Sequence, residues 1–205
     1  MALRFWTADL HLGHPSIVLY CKRPFVPEGT TAFRDKEHAV EVAKKMNTRL
    51  IANINERCKP EDALVHVGDF CTKGVAKEVE GLRLKYSDYL REIHCRVTLL
   101  EGNHDSQNGT KTIGRHLFTT IHGQSVFVSH YPTENIEFAP ALIEYARANC
   151  AFAICGHVHD SWKFKVIDGL LNVNVGVDQW NYRPINDDEL LRAIQKEKKD
   201  GLRTH

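Results

Sequence analysis

Arg96-Val-Thr-Leu-Leu-Glu-Gly-Asn-His-Asp105 is the stretch that decides the architecture of this chain. Five residues of strand character run into a glycine, then into Asn103, His104 and Asp105. It reads as a short strand whose carboxyl end delivers amide, imidazole and carboxylate groups. The same pattern recurs outward in both directions. Leu3 to Ala8 leads into Asp9-Leu-His11, and Ala63 to Val67 leads into Gly68-Asp69. Ser125 to Ser129 leads into His130, and Ala151 to Cys155 leads into Gly156-His157-Val-His159. In layered α/β folds, ligand sites form in the loops beyond the carboxyl ends of strands. Five such loops would converge on one edge, so residues distant in sequence would meet there.

Helical segments separate these strands. From Asp35 to about Cys58, Ala39, Ala43, Met46, Leu50 and Ile54 recur at spacings of three and four, which marks one helical face. A second helix is expected from Lys77 to Ile93, and a third from Pro140, a residue suited to a first helical turn, to about Ala148. Residues 162–175 read as a β-hairpin with Asp168-Gly169 as its turn. Asn186 followed by Glu189 caps a last helix whose apolar side carries Leu190, Leu191 and Ile194.

The bulk properties narrow the classes. A length of 205 residues suits one domain with a substantial core, so residues 1–205 are expected to form one unit. Hydrophobic residues at 42% and charged residues at 26% fit a soluble globular protein. A formal net charge of +1 supplies no global basic field for a long nucleic acid. No stretch approaches the ~20 apolar residues of a membrane span. The first residues reach a charge before any signal-like apolar run develops. The six irregularly spaced cysteines therefore read as reduced, and the protein as cytoplasmic.

Twelve histidines direct attention to metal or acid–base chemistry. The strand-end fragments offer carboxylate, imidazole and amide oxygen, donors that suit Mn, Fe, Zn and similar divalent ions without thiolate. In extended or looping segments, residues i and i+2 can point the same way, so Asp9 with His11, and His157 with His159, can reach one ion. Two dications ~3.5–4 Å apart need a shared ligand, and the Asp69 carboxylate is the natural bridge.

In their order, D-x-H, G-D, G-N-H-D, H and G-H-x-H resemble the calcineurin-like metallophosphoesterase family, over most of the chain from Asp9 to His159. The segments His11 to Phe25 and Asn174 to Pro184 resemble a small bacterial and phage subgroup of it. Thr72 departs from the longer G-D-x-x-D form of the second motif. The resemblance implies an α/β fold of two β-sheets sandwiched between helices, four layers deep (α/β/β/α). It implies two divalent metal ions, Mn foremost, with Fe, Zn, Ni, Co or Mg as other occupants. Asp9, His11, Asp69 and His159 would hold one ion. Asp69, Asn103, His130 and His157 would hold the other. His104 would face the substrate, hydrogen-bonded to Asp105, as the proton donor to the leaving group.

The function expected is hydrolysis of a phosphomonoester or phosphodiester, nucleotides among them, by in-line attack of a metal-bridging hydroxide. A nuclease or cyclic phosphodiesterase is the alternative, and a non-catalytic metal-stabilised scaffold stands behind both. His14, Arg23 and Arg183 are candidates for substrate contact, each weighed against an ordinary structural or surface role. His66 reads as structural, and Trp180 and Tyr182 as packing residues. The expected partner is a small phosphoester or nucleotide, with neither a long nucleic acid nor a membrane.

Overall fold

The computed structural model describes residues 2–72, 85–106, 109–134 and 139–201. β1 (Arg4–Thr7), β2 (Ala63–Val67), β3 (Arg96–Leu100) and β9 (Ile185–Asn186) form one sheet in the order β3-β2-β1-β9. β1, β2 and β3 run parallel, and β9 is antiparallel to β1. The second sheet comprises β4 (His116–Ile121), β5 (Gln124–Ser129), β6 (Phe152–Cys155), β7 (Phe164–Ile167) and β8 (Leu170–Asn174), ordered β4-β5-β6-β8-β7. Parallel pairs join β5 to β6 and β6 to β8; the flanking pairs are hairpins.

Strand alternation sorts the side chains into layers. Trp6, Val65, Val67 and Leu100 from the first sheet meet Val126, Val128, Ile154 and Val173 from the second in a buried inter-sheet core. The opposite face of the first sheet, with Phe5, Leu64 and Leu99, packs on helices α1 (Ser16–Tyr20), α2 (Lys36–Arg57) and α3 (Tyr86–Glu92). The outer face of the second sheet, with Phe127 and Ala153, packs on α4 (Pro140–Asn149). Two sheets flanked by helices are thus the layers that the motif resemblance implies. α5 (Asp187–Asp200) adds Leu190 and Ile194 to the inter-sheet core.

Local chemistry sets the element ends. The Asp35 carboxylate accepts from the His38 amide and starts α2, whose 22 residues bury Val42, Met46, Leu50 and Ile54 on one face. Asn186 and Glu189 form the reciprocal capping box of α5. The Asp168-Gly169 turn has φ of 45° and 84°, the left-handed pair that a two-residue hairpin requires.

Some expectations need correction. The helix expected over Lys77–Ile93 is described only as Tyr86–Glu92, because residues 73–84 lie outside the described set. β4, α1 and β9 were not anticipated. β4 alternates exposed and half-buried residues at the sheet edge. α1 spans five residues, too few for periodicity to register. All six cysteines are free, and the Cys58 and Cys95 thiols hydrogen-bond each other. No helix among the described residues is long and apolar enough to cross a membrane.

Candidate metal centre

The carboxyl ends of β1, β2, β3, β5 and β6 meet where the two sheets abut. The chain after β1 stitches them together: the Ala8 amide donates to the Val175 carbonyl, and the Asp9 amide to the Gly68 carbonyl. Asp9, His11, Asp69, His157 and His159 all adopt left-handed backbone, with φ of 58°, 50°, 60°, 71° and 47°. Non-glycine residues pay a conformational cost there, and such strain gathers at functional sites.

Neighbouring glycines leave room for the carboxylates. A Cβ on Gly102 would lie 2.3 Å from Oδ1 of Asp69. One on Gly156 would lie 2.6 Å from Oδ2 of Asp9. The loops approach so closely that any side chain at these positions would displace a carboxylate.

Asp69 is central. Its Oδ2 lies 3.5 Å from Nε2 of His11, 3.4 Å from Nε2 of His130 and 4.0 Å from Nε2 of His104. Its Oδ1 accepts from the His104 amide at 2.9 Å. On one side, donor atoms of Asp9, His11 and His159 fall within 4.8 Å of one another, with the His11 and His159 rings stacked at 5.0 Å. On the other side, Oδ1 of Asn103 lies 3.1 Å from both Nε2 of His130 and Nδ1 of His157. The Val67 carbonyl accepts from Nδ1 of His130 at 2.9 Å, which fixes the tautomer and turns Nε2 towards Asp69 and Asn103. All seven residues expected to hold metal therefore gather at one place.

The electrostatics fit a site built for cations. Burial pushes the Asp9 carboxyl up to about 6, against the pull of His130 and His159. Burial would raise Asp69 as well, but its hydrogen bond and charge interaction with His130 hold it below the usual carboxylate range. Burial opposes the charge on His130 and is outweighed by Asp69 and Asp9, which raise it to about 9. His11 is different. Burial drives its imidazole well below its ordinary range, and neither ring nitrogen has a hydrogen-bond partner among the described residues. A neutral imidazole, 2% exposed and unpartnered beside two carboxylates, is the orphan that a divalent ion satisfies.

Two expected contacts are corrected, and Arg183 takes the surface role weighed against substrate contact. The Asp105 carboxylate does not hold His104. It accepts the amides of Asp69 at 2.7 Å, Gly102 at 2.9 Å and Phe70 at 3.1 Å, so it shapes the loop that presents Asp69. Arg23 is not available to substrate: its side chain is fully buried and bound to Asp178 and to the Asp9 and Leu10 carbonyls. Arg183 reaches Glu56 on α2 in an exposed pair at 3.5 Å. His14, by contrast, lies at the site. Its ring is 5.8 Å from that of His11 and 6.2 Å from that of His104, and its Nδ1 accepts the Ile17 amide at the start of α1. Burial, aided by the nearby charge of His104, lowers it to about 4.

Sequence reasoning missed Asp178 and Asn174. Asn174 donates to the His159 and Trp162 carbonyls and accepts the Gly176 amide, which braces the loop beside Asp9. His66 is fully buried against Phe70, with burial lowering it to about 3, in keeping with a structural role. Trp180 and Tyr182 pack against the two main core clusters, as expected.

The chain is similar in sequence and fold to known proteins. An uncharacterized protein of Methanocaldococcus jannaschii, MJ1445, is 26% identical over 198 residues, covering 93% of this chain and 90% of that protein. The crystal structure of the Aquifex aeolicus protein of unknown function AQ665 matches with a TM-score of 0.61 at 23% identity, covering 94% of this chain and all of that one. The Pseudomonas putida nuclease MPE is more distant, with a TM-score of 0.45 at 18% identity over 84% of this chain and 72% of that one. The family profile described as the calcineurin-like phosphoesterase superfamily domain matches residues 38–184. With most of its length under that profile and His and Asp donors clustered at its strand ends, the chain belongs to the calcineurin-like phosphoesterase superfamily, a family of metal-dependent phosphoester hydrolysis.

Proposed function

We propose that the chain hydrolyses a small phosphomonoester or phosphodiester, such as a nucleotide, at a pair of divalent ions. The observation supporting this most strongly is Oδ2 of Asp69, which stands 3.5 Å from a His11 nitrogen and 3.4 Å from a His130 nitrogen. One carboxylate oxygen faces a separate imidazole set on each side, as a bridging ligand must. Asp9, His11, Asp69 and His159 would hold one ion; Asp69, Asn103, His130 and His157 would hold the other. Bound there, the ions supply an activated water at neutral pH and neutralise charge developing on the phosphoryl oxygens. Imidazole, carboxylate and amide donors without thiolate accept Mn readily, and Fe, Zn, Ni, Co and Mg compete according to supply.

The chain's own groups complete the reaction. His104 has 41% of its side chain exposed at the lip of the cluster, with Nε2 4.0 Å from Asp69. From there it donates a proton to the departing alkoxide. His14 is held neutral by burial, and its Nδ1 is occupied by the Ile17 amide. Its proton therefore sits on Nε2, a donor for a phosphoryl oxygen rather than a second cation. Asp105 keeps Asp69 in its left-handed pose through three amides.

The test is one screen: metal-stripped protein, reloaded with Mn, Mg, Zn, Co or Ni, assayed on nitrophenyl mono- and diesters, nucleotides and single-stranded nucleic acid. Metal-dependent turnover of a small ester, lost in Asp69→Asn, is expected. Full activity of the stripped protein, or of Asp69→Asn, contradicts the reading.

A further inference from the structure

Arg23 and Asp178 form a buried ion pair 155 residues apart in sequence, with side-chain exposures of 0% and 2%. Burying two charges is costly unless every donor and acceptor is used. Here the guanidinium uses all its directions. Nε donates to Oδ1 of Asp178 at 2.8 Å, and Nη2 to Oδ2 at 2.9 Å. Nη2 also donates to the Asp9 carbonyl at 2.8 Å, and Nη1 to the Leu10 carbonyl at 3.1 Å, with the Met46 sulfur at 3.4 Å. The Asp178 carboxylate then reaches back to the cluster, with Oδ2 3.4 Å from Nδ1 of His159.

We infer that Arg23 and Asp178 are positioning residues for one of the two metal positions, the one held by Asp9, His11 and His159, and not for the other. The inference rests on the reading of those residues as ligands. Through two carbonyls, Arg23 fixes the turn in which Asp9 and His11 take their left-handed conformations. Through Asp178 it fixes the His159 ring, holding the proton on Nδ1 and leaving Nε2 as the metal-facing lone pair. Among the described residues neither hydrogen-bonds Asn103, His130 or His157: the His130 ring is held by the Val67 carbonyl, and the His130 and His157 rings both face Oδ1 of Asn103, while only the backbone amide of His157 reaches the Asp9 carboxylate. One buried pair thus sets three of the four donors on one side of Asp69. Removing a partner that orients a metal-bound histidine typically costs about 10–100-fold in metal affinity.

The experiment measures Zn stoichiometry and affinity by equilibrium dialysis in the wild type, in Asp178→Asn, and in the paired change Arg23→Met with Asp178→Leu. The paired change leaves no unpaired buried charge, so it keeps the test usable where the single variant fails to fold. Folding is checked by circular dichroism. The wild type is expected to bind two ions; both variants should keep one unchanged site while the other weakens about 10–100-fold. Nitrogen chemical shifts of His159 in the Zn-loaded wild type should show Nδ1 protonated and Nε2 metal-bound. Two unchanged sites in the folded variants, or Zn on Nδ1 of His159, overturn the inference and leave the proposed function standing. A wild type that takes up no metal overturns both.

Discussion

Replacing Asp105 separates two accounts of that residue. As a partner of His104, its loss would slow the chemistry and leave the fold intact. As the structure has it, Asp105 is a fully buried acceptor for the amides of Asp69, Gly102 and Phe70. Oδ2 takes two of these and Oδ1 takes one. Asparagine can keep its oxygen on the two shared amides but must turn an N–H2 towards the Phe70 amide, which loses one bond. Hydrogen bonds to charged groups are worth about 1.5–3 kcal/mol each, so Asp105→Asn should cost about 2 kcal/mol. Alanine strands three buried donors, for about 4–6 kcal/mol, a large share of the ~5–15 kcal/mol that holds a domain together. The assay is urea unfolding of chelator-treated protein, with circular dichroism as the signal. A midpoint falling in the order wild type, Asn, Ala is expected, and metal affinity should fall with it because Asp69 loses its support. An Asp105→Ala protein as stable as the wild type would refute this reasoning.

Further predictions rest on separate observations. Gly156→Ala should weaken metal binding more than tenfold, because the added methyl lands 2.6 Å from the Asp9 carboxylate; isothermal titration reads this, and unchanged affinity would count against the close packing. Metal uptake should release protons and weaken as pH falls. With metal absent, Asp69 and Asp9 outweigh burial to raise His130 to about 9, and Asp178, Cys21 and Asp9 together outweigh it to raise His159 to about 10, so both bind protons that an ion must displace. Each displaced proton costs up to about tenfold in affinity per pH unit below those values, and titration in buffers of different ionisation enthalpy counts the protons. Asn186→Ala should remove half of the α5 capping box and lower stability by about 1 kcal/mol, visible as a shift in urea midpoint without loss of activity.

The parts of the fold legible in sequence were those in which pattern and function coincide. β2, β3, β5 and β6 are short apolar runs that stop at a polar residue, and each stop proved to be a loop of the cluster. The Asp168-Gly169 turn and the Asn186–Glu189 cap are local chemistry, readable within a few residues. β4 escaped because an edge strand with three exposed residues, His116, Phe118 and Thr120, has too little apolar character to stand out. The buried role of Arg23 is not legible in sequence because nothing near it announces Asp178, which only the folded chain brings alongside. The role of Asp105 was equally hidden: its partners are backbone amides, which have no sequence signature.

Anomalous diffraction from crystals equilibrated with Mn tests the central claim most directly. Two peaks about 3.5–4 Å apart are expected, with an Asp69 carboxylate oxygen between them, His11 and His159 on one side and His130 and His157 on the other. A single peak away from Asp69, or none at Mn concentrations that support turnover, would contradict it.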